Sequence, residues 1–464
     1  MGQLSVAEGD LYHTVARLAQ RSPFVEALAQ AVTGLSVRHD GRSTSIRMRP
    51  RVRGAVVRAW TRSGWTETSV SGLDPIALRA GEGAVERTLV RRPTRSPPPG
   101  ASSTARIEKF TTAARPIQAL STEELESRAR DIHSWTQGVP ELRGALVGLA
   151  WDEEERLYLN SDGGRCYTGV CRVRGILRPM AFENGRVEHD RLVHGGVGGQ
   201  EVLDRITQGE VHRSVATAVA MLKAKAPPAG KMTVLLTPSV TGYLAHESFG
   251  HGAEADQFVR GRSYLNPMLG KVVGPEILTI VDNGAYDGAW SQIYADDEGH
   301  PPQRTLLVDR GRFVGALHDR ASAAALGASP TGNTRRSDFL SRSYVRMTNT
   351  YIEPGASTVD ELVREAKNGV ILESGFSGIE DPAGGLMQVK ARRGHLIENG
   401  RMTELVSSMA LSGRVLEFLA SVRGVSGPTD FVLDAGACGK GQTDFLPNSA
   451  GGPYLLAEAV VGRA

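Results

Sequence analysis

Apolar and polar residues alternate with a period of two over several stretches of the chain, and this pattern predicts β-strands. In the segment 46–53, IRMRPRVR, the apolar residues share one parity and four arginines share the other, which predicts a strand with a solvated basic face. Similar segments recur at 144–151, 156–160 and 165–177, separated by the tetrapeptides DEEE and SDGG. They predict an antiparallel meander with turns at those two tetrapeptides.

Helical patterns in the first half of the chain help to divide it into domains. Ser121 followed by Glu124 forms a capping box, which predicts a helix through about residue 136. A helical stretch over 202–225 ends at KAPPAG, where prolines and glycine break it and predict a boundary between domains 1–226 and 227–464. The segment 91–104 is rich in Pro, Ser and Gly without periodicity, which predicts a loop inside the first domain.

Strand patterns dominate after the boundary, interrupted by short helical segments near 317–326 and 358–367. The predicted strand segments are 233–236, 276–282, 305–315, 344–352 and 395–405, the last built around an Asn399-Gly400 hairpin turn. The predicted fold class is therefore α+β. It comprises a mixed α/β first domain with an antiparallel sheet, and a β-rich, barrel-like or sandwich-like second domain.

Composition narrows the class of protein further. The 464 residues are 40% hydrophobic, enough for large cores, and the net charge of +3 is too small to indicate a nucleic-acid binder. Three cysteines cannot form a disulfide framework and fit a reducing compartment. We see neither a signal peptide nor a run of about 18 apolar residues, so we expect a cytoplasmic protein without a membrane span.

The chemically richest segment, 237–256, follows a predicted strand, and Thr237-Pro238 at its start predicts a helix. It contains His246-Glu247-Ser248-Phe249-Gly250-His251, an HExxH-like motif with one extra residue between the histidines. At about 100° per residue, an i, i+5 pair lies roughly 140° apart on a regular α-helix, too far to share one ion. We therefore predict a π-bulge or helix break between these histidines, made easier by Gly250.

Two histidines hydrogen-bonded in a polar helix are the alternative to a metal site. A catalytic zinc takes three protein ligands, and Cys438, in the glycine-rich segment DAGACGKGQ, is the best third candidate. Cys166 and Cys171 lie five residues apart on a predicted strand, so their side chains are expected to point to opposite faces. We interpret both as core residues. Glu247 would then serve as general base toward water and as general acid toward the leaving amine.

These residues resemble the TldD/PmbA family of metallopeptidases, and the resemblance covers nearly the whole second domain. The matching segments are HESFGHGAEAD (246–256), DDEGHPPQRTLLV (296–308), GALHDRASAAALG (315–327), TGNTRR (331–336), RMTNTYIEPG (346–355), LIENGR (396–401) and ACGKGQ (437–442). The resemblance implies His246, His251 and Cys438 as zinc ligands and Glu247 as catalytic acid/base.

The resemblance also implies partners and a substrate class. Family members pair a motif-bearing TldD-like subunit with a PmbA-like (TldE) subunit that lacks the motif, and dimerisation encloses the active site around unfolded or flexible peptides. This chain has the complete motif, so the resemblance implies that it is the catalytic, TldD-like subunit. A homodimer is the alternative to a heterodimer with a TldE-like partner. Maturation of peptide precursors is one role that the family implies.

For several residues the sequence allows more than one role, and it also allows more than one function. Asn349 and Arg336 are candidates for substrate binding, with structural roles equally expected, whereas the acidic triplet 296–298 is read as a polar loop. The basic stretch with Lys390, Arg392 and Arg393 and the Pro-rich segment depart from the family pattern. The alternatives to a peptidase are a zinc amide hydrolase acting on a peptide-like natural product and a non-catalytic modulator with structural zinc.

Overall fold

The computed structural model of the chain describes residues 2–100, 102–441 and 443–464. It is 25% helical and 42% strand, which confirms the α+β class. The α-helices are α1 (Glu8–Ala19), α2 (Pro75–Arg91), α3 (Thr122–Ser134), α4 (Gln200–Asp204), α5 (Gln208–Met221), α6 (Pro238–Tyr243), α7 (Ala255–Val259), α8 (Arg320–Leu326), α9 (Val359–Ala366) and α10 (Val415–Ala420). None of the helices formed by the described residues has the length and apolar character needed to cross a bilayer.

The strands fall into two groups, one before and one after the predicted boundary. The first group is β1 (Val25–His39), β2 (Thr44–Thr61), β3 (Gly64–Ser71), β4 (Arg106–Phe110), β5 (Leu142–Asn160), β6 (Arg165–Glu183), β7 (Arg186–His189) and β8 (Leu192–Val197). The second group is β9 (Gly230–Leu236), β10 (Ile280–Asn283), β11 (Arg304–Asp309), β12 (Arg312–Phe313), β13 (Thr334–Arg335), β14 (Tyr344–Val345), β15 (Asn349–Ile352), β16 (Gly369–Glu380), β17 (Leu386–Glu398), β18 (Arg401–Val406), β19 (Met409–Arg414), β20 (Gly424–Val425), β21 (Val432–Lys440), β22 (Thr443–Gly452) and β23 (Leu455–Arg463).

The first group forms an eight-stranded sheet with the order β3-β2-β1-β5-β6-β4, to which β7 and β8 add along β6. All pairings are antiparallel except that of β4 with β6. Alternate residues of the long strands point to one face, where α1 and α2 cover one end and α3, α4 and α5 cover the other. The predicted capping box of Ser121 and Glu124 is present at the start of α3.

The predicted turn at DEEE is wrong, because these four residues lie inside the continuous strand β5. Distant partners hold the acidic side chains in the sheet. Glu154 accepts hydrogen bonds from Arg172, at 3.0 Å, and from Arg156, while Glu155 accepts from Tyr167 at 2.7 Å. The strand period therefore continues through a sequence that looks like a turn. The other predicted turn, SDGG, does separate β5 from β6.

The strand predicted at 46–53 is part of β2, but its apolar side is not buried. Ile46 and Met48 are 44% and 80% exposed, so both faces of this end of the β1–β2 hairpin meet solvent. The side chain of Arg51, counted with the basic face, lies outside the described residues.

A closed five-stranded barrel forms the centre of the second group, with the strand order β16-β9-β23-β19-β17 and a final pairing of β17 with β16. The Asn399-Gly400 turn joins β17 to β18 with both residues at positive φ, as predicted. Beside the barrel lies a six-stranded sheet with the order β12-β11-β10-β15-β22-β21. This arrangement confirms the β-rich, barrel-like second domain.

A buried ion-pair cluster joins the first sheet to the residues after the boundary. Arg58 of β2 contacts Glu26 of β1 and also Glu298, whose Oε1 lies 2.9 Å from Arg58 Nη2. Arg320 of α8 contacts both carboxylates and is 2% exposed. Each buried charge in this cluster lies beside an opposite charge. Removing one residue would therefore leave its partners buried without full countercharge, which destabilises the fold.

We therefore expect Glu298→Ala to lower the free energy of unfolding by about 3–5 kcal/mol, since it leaves two buried guanidinium groups with half of their countercharge. Urea unfolding of the purified variant measures this. The control is Glu404→Ala, which removes an exposed pair with Lys225 and should leave stability nearly unchanged. Equal effects of the two substitutions would contradict a stabilising role for the buried cluster.

Candidate metal centre

The segment between β9 and β10 begins as a regular helix and then widens. After α6, residues Leu244–Gly250 form a π-helix, and the backbone N–H of His251 donates to the carbonyl of His246 at 3.3 Å. This i to i+5 hydrogen bond accommodates the extra residue of the motif. The π-bulge predicted from the histidine spacing is confirmed.

The π-helix is held deep in the protein. It packs between β16 and β17 of the barrel and β15 and β22 of the six-stranded sheet. Gly250 lies directly against the side chain of Met347, so that a methyl group at this position would collide with the sulfur. Such packing fixes the backbone that carries both histidines, and His246 is only 2% exposed.

The structure brings His246, His251 and Cys438 together, with one potential ligand atom of each lying within 4.8 Å of the others. Cys438 Sγ lies 3.2 Å from His251 Nε2, and the two imidazole centroids are 5.1 Å apart. The Glu247 carboxylate borders the same space, with its Oε2 3.6 Å from His251 Nε2. Cys438 arrives on β21, an edge strand of the six-stranded sheet.

The three donors fit the demands of zinc. In a tetrahedral site with bonds of about 2.0–2.3 Å, neighbouring ligand atoms lie about 3.3–3.6 Å apart, close to the separation between Cys438 and His251. Imidazole nitrogen and thiolate sulfur are donors that zinc accepts, and three protein ligands leave a coordination position open. Glu247 lies beside this trio without being needed to complete it.

A second layer of side chains orients the three donors. Glu254 Oε2 lies 3.4 Å from His251 Nδ1, which directs Nε2 of that ring toward Cys438. Glu254 is in turn held by Lys440 at 2.8 Å and by Arg346 at 3.5 Å, and Arg346 also donates to the Cys438 carbonyl at 3.0 Å. The signal in the sequence that could have indicated Glu254 is its position three residues after His251, in the turn that follows the π-helix.

Asn448 supports the other imidazole, and nothing in the sequence indicated this residue. Its Nδ2 lies 3.0 Å from His246 Nε2 and 3.1 Å from Nδ1 of the same ring, and it is placed by the pairing of β22 with β21. Gly436 sits opposite Asn448 in that pairing, and a side chain there would press on the Asn448 amide oxygen at 2.7 Å. One of the glycines near Cys438 therefore leaves room for this supporting amide.

Burial and neighbouring charges shift the protonation of the cluster. Burial alone would raise the pKa of Cys438, but hydrogen bonds and charge from His246 and His251 lower it to about 4. Burial alone would lower the pKa of His251, but Glu254 and Cys438 raise it to about 10. Burial raises the pKa of Glu247, against the charges of both histidines. The thiol is thus held as a thiolate, and Glu247 holds a proton more readily than a solvent-exposed glutamate does.

The second layer is also charged. Burial alone would raise the pKa of Glu254, but Lys440, Arg346 and His251 hold it well below its usual range. Burial raises the pKa of Asp256 to about 6, although Lys440 Nζ lies 2.7 Å away. Glu254 is therefore a stable carboxylate partner for His251.

The remaining residues singled out by sequence lie elsewhere. Asn349 is fully buried and bonds to the backbone of Asn283 and Ser291, while Arg336 bonds to Ser341 and Glu67. None of these contacts involves His246, His251 or Cys438, so a role for either residue in substrate binding stays a prediction.

The other cysteines and the acidic triplet were read as non-catalytic. Cys166 and Cys171 are buried in two different apolar clusters. The triplet diverges as expected: Asp297 contacts Arg156, Glu298 contacts Arg58, and Asp296 accepts backbone N–H groups, including that of His300 at 2.8 Å. It is buried, however, and not a solvated loop.

Comparisons with known proteins agree with this architecture. A family model described as the PmbA/TldA metallopeptidase C-terminal domain matches residues 229–462. A metalloprotease of Methanothermobacter thermautotrophicus is 34% identical over 390 residues, covering 83% of this chain and 80% of that protein. A zinc metalloprotease TldD homolog of Saccharolobus solfataricus is 34% identical over 239 residues, 51% of this chain and 52% of its own length.

Solved structures share the whole fold at lower identity. TldE from Thermococcus kodakarensis has a TM-score of 0.77 and 17% identity, covering 98% of this chain and 100% of that one. A Thermotoga maritima protein described as a candidate modulator of a DNA gyrase has a TM-score of 0.81 and 18% identity, with coverage of 98% and 100%. The matched domain and the sequence relatives place the protein in the metallopeptidase class. Within that class, the chain belongs to the PmbA/TldD family.

The second-layer contact of Asn448 gives a test of the proposed ligand set. We expect Asn448→Ala to weaken zinc binding about 10- to 100-fold, since His246 loses the amide that positions its ring. Competition with a chromophoric chelator measures the dissociation constant. Asn266→Ala, at an exposed asparagine in a 3₁₀ turn, serves as the control and should leave zinc affinity unchanged. An unaltered affinity of the Asn448 variant would argue against His246 as a ligand.

Proposed function

We propose that this chain hydrolyses peptide bonds with a zinc ion held by His246, His251 and Cys438. The observation that carries the proposal is the convergence of two imidazoles from one π-helix with a thiolate 187 residues downstream of the second. Zinc in such a site supplies Lewis acidity, which polarises a carbonyl group and makes water a nucleophile near neutral pH. The relatives named as metalloproteases support the proposal that the chain is a metal-dependent peptidase.

In the proposed reaction, Glu247 moves the proton. Its carboxylate borders the proposed ligands without being needed as a ligand, and burial raises its pKa above the ordinary value of a glutamate. It would accept a proton from the attacking water and then donate it to the leaving amine. Glu254, Arg346 and Asn448 would hold the ligands in place during this cycle.

A paralogous subunit without the motif is the proposed partner. The support is the shared fold with the solved TldE structure and the likeness to TldD homologs. We propose a heterodimer that encloses the active site, with a homodimer as the alternative, and with unfolded or flexible peptides as substrates, peptide precursors among them. A reducing cytoplasm would keep the Cys438 thiol available for metal.

The experiment is a cleavage assay on an unstructured peptide library. The purified chain is loaded with zinc, incubated alone and with a motif-lacking paralogue from the same genome, and the products are identified by mass. Stripping zinc with a chelator should abolish cleavage, and adding zinc back should restore it. Failure of both the chain and the mixed pair to cut any peptide, with zinc bound, would overturn the proposal.

A further inference from the structure

A large cavity lies between the first sheet and the barrel, and three elements that line it, α6, β16 and β21, also lead to the candidate metal centre. Its volume is about 1140 Å³. Its walls come from Arg191 and the start of β8, from β16, β17 and β18, and from α6, α9 and β21, with Arg191, Arg392, Tyr243 and Asp434 among the lining side chains. The cavity is therefore bounded by the same three elements, α6, β16 and β21, that flank the cluster.

Three arginines that line the cavity differ in whether a neighbouring carboxylate neutralises their charge. Arg393 is neutralised, since it lies 2.6 Å from Asp190 and 2.9 Å from Glu373. Among the described residues, no carboxylate lies within ion-pair distance of Arg191 or Arg392. The Nε of Arg191 is buried without a hydrogen-bond partner, and Arg392 contacts a neutral ring nitrogen of His189 at 2.9 Å and the face of Phe376.

Further positive charge lies near Arg191, on a residue that does not line the cavity. Arg174 of β6 also has a buried Nε without a partner, and it lies over the ring of Trp290 at 5.8 Å. Burial together with the charges of Arg191 and Arg178 lowers the pKa of Arg174 to about 10. Asp434 is the acidic group facing Arg191, and burial raises its pKa. Arg191 and Arg392 thus line the cavity without a carboxylate of the described residues in direct contact with either guanidinium.

The cavity and the cluster share one side of the molecule. Asp434 and Cys438 have the same parity on β21, so their side chains point to the same face, about 13 Å apart along the strand. Tyr243 precedes Glu247 by one helical turn, and β16 passes both, with Gly375 against Tyr243 and Gly378 against Glu247. An extended peptide of about four residues spans such a distance at roughly 3.3 Å per residue.

Resting on the proposed function, we propose that Arg191 and Arg392 bind a carboxylate of the peptide substrate, about three to four residues from the bond that is cut. A guanidinium fork matches a carboxylate in two parallel hydrogen bonds, and both arginines have donors to offer. The carboxylate can be an acidic side chain or the peptide's own C-terminus. The site thus favours anionic peptides over neutral or basic ones.

The test measures binding separately from cleavage. Fluorescein-labelled octapeptides carry Glu or Gln at one position, which is moved along the sequence, and each is made with a C-terminal acid or amide. Fluorescence anisotropy gives their dissociation constants for the zinc-loaded Glu247→Gln protein, in which the peptides stay intact. We expect about 10- to 100-fold tighter binding of the carboxylate-bearing member of the correct pair. The Glu/Gln and acid/amide pairs identify which carboxylate is bound.

Arg191→Gln and Arg392→Gln, each made in the same background, should remove this preference while leaving the affinity of the neutral peptide unchanged. Arg414→Gln, with its side chain 58% exposed and outside the cavity, is the matched control. Equal binding of acidic and neutral peptides, equal weakening of both by the arginine variants, or no binding of any acidic peptide would overturn the inference. If the preference holds but the wild type cuts nothing, the proposed peptidase activity fails alone.

Discussion

Replacing Glu247 by Gln is expected to abolish peptide cleavage while zinc stays bound. The amide keeps the shape of the side chain beside the cluster but can no longer accept a proton from water, so the rate should fall by about 100- to 10,000-fold. The proposed ligands His246, His251 and Cys438 are unchanged, and metal analysis should still find about one zinc per chain. Rate measurements on a cleaved library peptide, paired with metal analysis, check both parts.

The matched control is Glu417→Gln, at a glutamate whose side chain is 78% exposed on α10. This variant should cut peptides at the wild-type rate. Retention of full activity by the Glu247 variant would remove the general base from the proposal and would favour a structural zinc site. Loss of zinc along with activity would instead indicate that Glu247 helps to hold the metal.

Cys438→Ser is expected to abolish stable zinc binding and, with it, activity. A serine hydroxyl is not among the donors that zinc favours, whereas the thiol at this position is held as a thiolate by two imidazoles. The zinc content should fall from about one per chain to near zero after dialysis. The thermal unfolding midpoint offers a second measurement, because bound zinc stabilises the folded wild type and should no longer do so in the variant.

The chain supplies its own thiol controls for that experiment. Cys166→Ala and Cys171→Ala remove buried thiols that belong to other apolar clusters, and both should retain zinc. If Cys438→Ser binds zinc as tightly as the wild type does, Cys438 is not a ligand. If all three substitutions release zinc equally, the loss reflects general unfolding, which circular dichroism would reveal.

Some of this architecture was predictable because the governing contacts are local. The five-residue spacing of His246 and His251 predicted a widened helical turn, since two imidazoles can share one ion only from the same side of a helix. The Asn399-Gly400 pair predicted a hairpin because its left-handed backbone suits those residue types. The capping box at Ser121 fixed the start of α3 for a similar local reason.

Other features depend on contacts that no local pattern encodes. The four residues DEEE resemble a turn, yet Arg172 and Tyr167 of the neighbouring strand keep them extended. Asn448 reaches His246 only because β22 packs against the π-helix, which lies about two hundred residues earlier in the sequence. The exposure of Ile46 and Met48 likewise follows from where the helices stop covering the sheet, which the period-two pattern does not contain.

The separation of 187 residues between His251 and Cys438 also sets the order in which the parts of the candidate metal centre are synthesised. A nascent chain presents both imidazoles long before the thiolate has been translated. Barrel closure is similarly late, since β9 must wait for β23 to pair with it. An incomplete chain on the ribosome therefore lacks one of the three side chains that form the candidate metal centre.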